Sequence, residues 1–427
     1  MTQQDNQQPD CFSNSEGSLT VEQALQRVKS LLPVIDETET LSLDHCLGRI
    51  AGNAVVCEQA QPSFANSSMD GYAFNSAALT SVSAAPLKLL EAGVSLAGHP
   101  FTGNVTLNQC VRITTGAKMP ADCDTVVIKE NITVIESGGE TRIEINHLPA
   151  PGDNVRAIGS NLARGDVLCE RGSKIHPALL GLIASTGMVG IRSIRPLKVA
   201  VFSTGDELVV PGATAGDGQI YDANGYLLKS LLQSPCIEVT DLGIVADSSD
   251  AVREVMREAS QADIALSSGG VSVGEADVVK QVLDEIGTLQ MWKILMKPGR
   301  PLTFGTLDSG TRYFGLPGNP VSAMVTFAIF VVPAIRHMLG MPQQPTDILK
   351  AICCDDLAKQ PGRMELQRGI LTLRDDGRWQ VATTGLQDSH ILASMAKANC
   401  FIRLSIESSG AASGELVDVI PLQNFTI

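Results

Sequence analysis

The sequence predicts an α/β protein with added β-rich domains, and three observations carry that reading. Between residues 196 and 340, apolar runs at 197–202, 237–245, 263–266, 289–295, 302–304 and 313–315 alternate with helix-like stretches at 225–232, 250–260, 276–286 and 321–339. Such alternation specifies a central open, mostly parallel sheet with helices on both faces. Residues 74–150 and 343–427 instead carry short apolar runs broken by Gly, Asn and Pro, the pattern of β structure. Finally, the glycine and charge clusters of the middle segment all follow predicted strands, where open α/β sheets bind their ligands.

Length and composition narrow the class. A chain of 427 residues exceeds a single core, and 44% apolar with 18% charged residues is ordinary for a soluble globular protein. A net charge of −14 and only 4% aromatic residues disfavour a nucleic-acid or anionic-membrane partner. Any bound anion must be held by a local basic cluster. The ten cysteines form no CxxC pair, which points to free thiols in a reducing compartment. The polar opening MTQQDNQQPD is unlike a secretory signal, and the apolar stretch 321–335 is interrupted by Ser322, Thr326 and Pro333 and too short to cross a bilayer. A cytoplasmic protein is expected.

Taken in order, residues 1–17 read as a disordered polar tail. Thr20 is placed to cap a helix whose apolar face is Val21, Ala24, Leu25, Val28, Leu31 and Leu32, and a second helical piece is expected at 43–50. Residues 18–60 and 151–195 are grouped as an N-terminal helical and linker domain, 61–150 as an inserted β-rich domain, 196–340 as the α/β domain and 343–427 as a C-terminal barrel or sandwich. Within the insertion, 61–73 reads as loop because Pro, Asn, Ser and Gly cluster there.

Neither GxGxxG nor GxxxxGK[ST] occurs in the α/β segment, nor does a GxSxG elbow, so dinucleotide, Walker-type and serine-hydrolase sites are disfavoured. Carboxylates and basic side chains remain at the predicted strand ends. Glu207, Asp247 and Asp277 follow strands of one sheet, and Asp70 sits in the earlier loop. The loop holding Gly269, Gly270, Ser272 and Gly274 lets backbone approach an anion, while Lys293, Lys297 and Arg300 supply positive charge. Carboxylates beside such a loop suit Mg²⁺, which takes oxygen ligands. The residues alone therefore describe a metal-assisted phosphate or oxyanion site.

The motifs FANSSMDGYA, RITTGAKMP, FSTGDEL, GQIYDANG, SSGGVSVGEAD, KPGRP and GLPGNPVSA, in this order from about Leu19 to the C-terminus, resemble the MoeA family of molybdopterin molybdenumtransferases, which includes the C-terminal domain of gephyrin. The resemblance implies an elongated four-domain homodimer with a molybdopterin-binding-like central domain. It also implies the last step of molybdenum cofactor synthesis, in which molybdate enters the dithiolene of adenylylated molybdopterin and AMP leaves in a Mg²⁺-dependent reaction. By the same resemblance, Glu207 and Asp277 are the divalent-cation ligands, and Asp70 acts from the partner subunit. Asp247, Lys293, Lys297, Thr115 and Arg156 are further active-site positions. Ser389, with Pro317 and Pro320, belongs to the region that meets molybdate or pterin. Contacts with a molybdopterin adenylyltransferase and with acceptor molybdoenzymes are implied as well.

The chain departs from the family pattern at Ala65, Ser160, Asn161 and Ser248, where acids are usual. Asn161 keeps the shape of the acid and loses its charge, so a slower but active enzyme is expected. Two other readings remain open: a molybdopterin adenylyltransferase, whose fold resembles 196–340 alone, and a non-catalytic or weakly active pterin-binding or anchoring relative, which Asn161 favours.

Overall fold

The computed structural model describes residues 17–81, 86–269, 278–343 and 347–427. Its centre is a seven-stranded sheet of β1 (Ser18–Leu19), β2 (Leu197–Thr204), β3 (Ile237–Val245), β4 (Ile264–Ser268), β5 (Gly287–Ile294), β6 (Pro301–Leu307) and β7 (Arg312–Leu316), in the order β1-β5-β6-β7-β4-β2-β3. Strands β7, β4, β2 and β3 run parallel, β6 is antiparallel to both neighbours, and β1 is parallel to β5.

Strand β2 shows why these segments read as unbroken apolar runs. Val199 and Val201 face one core, with Leu228, Phe314 and Val321, while Ala200 and Phe202 face the other, with Val252, Met256 and Leu283. A strand buried on both faces has no polar side to show. Helices Ala223–Leu231 and Ser249–Ala259 follow β2 and β3, and Val278–Ile286 precedes β5.

The helical run Pro320–Met338 forms where a helix was expected at 321–339, and it is longer than the apolar stretch 321–335 judged too short to cross a bilayer. It continues through Pro333 because Phe327–Val331 form a wider π-turn immediately before it, which accommodates the missing N–H and the bulk of the ring. At 19 residues with mean hydropathy 1.7 it is long and apolar enough to cross a membrane by length and composition, yet 72% of it is buried inside the protein. It is the core helix of this domain.

One further expectation is corrected at the N-terminal side. The helix Val21–Ser30 forms as read, with a reciprocal Thr20–Gln23 capping box, and Leu19, Val21, Ala24 and Val28 pack in the core of the central sheet, which Ile50 also joins. The helix expected at 43–50 is only a short 3₁₀ turn, Leu43–His45, because Gly48 takes a positive φ and Ile50 bridges to Lys174. Residues 38–56 and 167–194 form a small domain of paired short strands around Cys46, Ala51, Ile175 and Ile183.

The insertion is a six-stranded sheet in which Gly71–Phe74, expected to be loop, is a fully buried strand between Thr125–Ile128 and Gln109–Ile113. Local composition hid it. The turn-forming residues lie just before it, and Gly71 is required by close approach, since an added Cβ would lie 1.9 Å from the Val127 carbonyl oxygen. The C-terminal domain closes as a barrel of Leu349–Cys353, Met364–Leu373, Trp379–Thr383, Cys400–Leu404 and Leu416–Pro421, with Met364–Leu373 pairing back to Cys400–Leu404. The nine described cysteines are free; burial pushes the Cys123 and Cys400 thiols up to about 12, so they are poor nucleophiles.

Replacing Gly71 by Ala should destabilise the insertion by about 2 kcal/mol or more, because backbone must move. Amide exchange should quicken across the inserted sheet and stay unchanged in the central one; uniform exchange in both would contradict this account.

Candidate active site

The carboxyl ends of β2, β4 and β7 surround a cavity of about 630 Å³, whose wall includes Thr204, Glu207, Asp222, Asn224, Ser268 and Asn319. The ends approach closely. Gly269 has φ +91°, and a Cβ there would lie 2.5 Å from the Thr204 carbonyl oxygen. Two helices begin at this wall, Ala223–Leu231 and the run from Pro320, so backbone N–H dipoles favour an anion there. Asp222 caps the first helix, accepting from the Gly225 N–H at 2.9 Å.

Asn224 fixes the geometry of this wall. Its Nδ2 donates to Ser268 Oγ and to the Gly318 carbonyl, each at 2.7 Å, tying the helix after β2 to the ends of β4 and β7. The Gly318 oxygen can only accept, so the orientation of the amide is settled. The barrel reaches the same place: Asn319 Nδ2 donates to Ser389 Oγ at 3.1 Å, the Val321 N–H donates to the Ser389 carbonyl at 3.3 Å, and His390 lines the cavity. Ser389, Pro317 and Pro320 are thereby assembled at one helix start.

Three carboxylates gather beside the cavity. The Asp247 N–H donates to Asp206 Oδ1 at 3.1 Å. Burial, followed by the charges of Asp206 and Glu207, pushes the Asp247 carboxyl above its ordinary range. Mutually repelling carboxylates are what a divalent cation would relieve, and Thr204 adds a buried hydroxyl at the same wall that has no hydrogen-bond partner among the described residues. Ser248, one of the departures, is the N-cap of helix Ser249–Ala259, a role open to Ser and Asp alike.

The basic residues lie on the β5–β6 connection. Lys293 stands opposite Pro301 on β5, and the Arg300 carbonyl accepts from the Ile294 N–H at 2.7 Å. Lys297 precedes a tight turn, with Gly299 at φ +92°, and its ammonium meets Glu365 of the barrel at 3.1 Å. Gly270, Ser272, Gly274 and Asp277 lie outside the described residues.

A second cluster sits on the insertion. Asp70 Oδ1 accepts from the Thr115 N–H at 2.8 Å and from its hydroxyl at 3.0 Å, and Lys129 lies 3.9 Å from Oδ2. The Thr115 N–H and hydroxyl, ahead of Lys129, hold the Asp70 carboxyl below its ordinary range. Arg156 pairs in register with Asn66 at the edge of the same loop. Among the described residues of one chain, no hydrogen bond, ion pair or cavity wall joins this cluster to Glu207. Asp206, Asp222, Asn224, Asn319, His390 and Glu365 went unassigned in the sequence reading. Asp206 lies inside FSTGDEL, Asp222 and Asn224 inside GQIYDANG and Asn319 inside GLPGNP, so the motifs held a usable signal for four of them.

Because the folded-state pKa of Asp247 is raised, its stability contribution is greatest when it is protonated and is lost as pH rises through the carboxylate range. Asp247→Asn should therefore raise Tm slightly at neutral pH, and Glu207→Gln should lower the Asp247 midpoint in a carboxyl ¹³C titration. A lower Tm for Asp247→Asn would contradict the repulsion.

Three family models together match most of the chain. Residues 19–187 match the MoeA N-terminal region (domain I and II), 200–337 the probable molybdopterin binding domain, and 350–422 the MoeA C-terminal region (domain IV). The chain is 40% identical over 408 residues to the molybdopterin molybdenumtransferase of Haemophilus influenzae, covering 95% of this chain and 99% of that protein. It is 31% identical to gephyrin of Dictyostelium discoideum across 91% of this chain and 60% of that longer protein. The MoeA protein structure from Pyrococcus horikoshii superposes with a TM-score of 0.81 at 25% identity, over 95% of this chain and all of that one. The chain belongs to the MoeA family of molybdopterin molybdenumtransferases.

Proposed function

We propose that this protein inserts molybdate into adenylylated molybdopterin and releases AMP, in the cytoplasm and as a homodimer. The observation that carries the reading is the cavity at the ends of β2, β4 and β7, where carboxylates, two helix N-termini and the barrel residue Ser389 meet around one space. An anionic substrate would lie against the helix starts, with Lys293, Lys297 and Arg300 balancing the charge of phosphate and molybdate. Asn224 and Asn319 hold the wall rigid, so little reorganisation is needed when the substrate binds.

Glu207, with Asp277 completing the set, would hold Mg²⁺, which commonly takes one or two protein carboxylates together with substrate phosphates. Bound there, Mg²⁺ would polarise the adenylyl phosphate and stabilise the charge on departing AMP. The protein's thiols take no part, since the sulfurs that receive molybdenum are those of the pterin.

The separation of Asp70, Thr115 and Arg156 from Glu207 within one chain supports a site completed across a dimer. Acceptance of substrate from a molybdopterin adenylyltransferase and delivery to acceptor molybdoenzymes follow from this place in the synthesis. The adenylyltransferase alternative is disfavoured because Lys297 and Ser389 tie the α/β domain to a barrel that fold lacks. Asn161, exposed in a loop that returns to Gln61, is the one residue favouring a weaker relative.

Purified protein with adenylylated molybdopterin and Mg²⁺ should release AMP only when molybdate is added. Glu207→Gln should lower that rate by about a hundredfold, the scale of one lost electrostatic contact in a transition state. Heterodimers of Asp70→Ala and Asp277→Ala subunits should regain activity that neither homodimer has, and Asn161→Asp should be faster than the natural protein. Molybdate-independent AMP release would sink the functional reading, and inactive confirmed heterodimers would sink the shared site.

A further inference from the structure

Two residues from different domains meet where the segment between β5 and β6 touches the barrel. Met296–Lys297 forms a short strand parallel to Met364–Glu365 of the barrel, with Lys297 in register with Glu365. The ammonium lies 3.1 Å from Glu365 Oε1, and the exposures are unequal: the Lys297 side chain is 53% accessible and that of Glu365 only 9%. A ligand arriving from solvent therefore reaches the lysine and not the carboxylate. An ammonium carries three donor hydrogens, so it can keep one on Glu365 while offering the others to an oxyanion.

The surroundings of Glu365 are rich in positive charge. Arg368, with no accessible surface, spends its guanidinium on the carbonyls of Leu386, Gln387 and Asp388 and on Ser394 Oγ, and so shapes the loop leading to Ser389. Lys359, 8% exposed, donates to the carbonyls of Gln360, Ile406 and Ser408. Among the described residues neither has a carboxylate within ion-pair distance, and the charge of Glu365 acts on both. Glu365 is the carboxylate common to both cations, beside Asp388 acting on Arg368 and Glu407 acting on Lys359.

We propose that Glu365 is the resident counter-anion of the oxyanion pocket: its carboxylate holds Lys297 until an entering oxyanion shares it, and so limits how tightly that oxyanion is retained. This inference rests on the reading of Lys297 as an oxyanion-binding group. It makes Glu365 a positioning residue acting through Lys297, and the cost of its negative charge to anion affinity keeps molybdate and phosphate exchangeable.

The test is equilibrium dialysis of molybdate, with sulfate as a second oxyanion, against the full-length protein. Glu365→Gln removes the charge and keeps the shape, and should tighten molybdate binding by about tenfold at low ionic strength, the gain shrinking as salt is raised. The variant alone should melt lower than the natural protein, yet molybdate should raise its Tm by more. A purely structural strut would lower Tm without enlarging that ligand-induced rise. Unchanged or weaker molybdate binding by a folded Glu365→Gln protein would overturn the proposal. Should that variant not fold, the Glu365 carboxyl ¹³C signal of the natural protein should shift on molybdate saturation, and a signal that does not move overturns it equally. Natural protein that releases AMP in response to molybdate, alongside Glu365→Gln that binds no tighter, refutes this inference and leaves the functional reading standing.

Discussion

Burial of the central sheet on both faces is the constraint on which the rest of the molecule depends. Helices cover one face through Leu228, Val321 and Phe327 and the other through Val252, Met256 and Leu283, so neither face can hold a polar ligand. Among the described residues, backbone that lines the cavity lies at the strand ends, where chain direction in a parallel sheet collects one set of turns. Glu207, Gly269 and the start of the Pro320 helix are brought together by that rule although more than a hundred residues separate the first from the last.

At those ends, fixed polar geometry and unfavourable charge coexist. Asn224 locks the wall with two short hydrogen bonds, while burial and the nearby charges of Asp206 and Glu207 raise the proton affinity of Asp247. Stability is given up at such a place because the charges are meant for a partner that arrives with the substrate. The barrel adds a further level. Through Ser389 on Asn319 and Lys297 on Glu365, it closes the cleft from a domain with its own core.

How much of this was legible depended on distance along the chain. Strands buried on both faces announce themselves as apolar runs, so β2 and β4 were readable; β3 and β5, only partly buried, were still found from their apolar residues, and Thr20 announced its helix as an N-cap. Gly71–Phe74 was not, because its burial comes from neighbours across a sheet and its own sequence follows a turn-rich stretch. The docking of residues 18–30 on the central sheet depends on a two-residue pairing of Ser18 and Leu19 with Lys293 and Ile294, which no local pattern reports. The acids after β2 and β3 were legible as site residues because strand ends could be counted. Glu365 was not, since nothing in its own segment marks it; its meaning lies in Lys297, a residue of another domain.

The central claim is that molybdenum insertion and AMP departure are one coupled event in the cleft between the α/β domain and the barrel. The most direct measurement follows a single turnover with adenylylated molybdopterin, Mg²⁺ and molybdate, counting AMP released against molybdenum delivered to an apo-molybdoenzyme. The account predicts equal amounts of the two and none of either without molybdate. AMP released with no molybdenum delivered would contradict it.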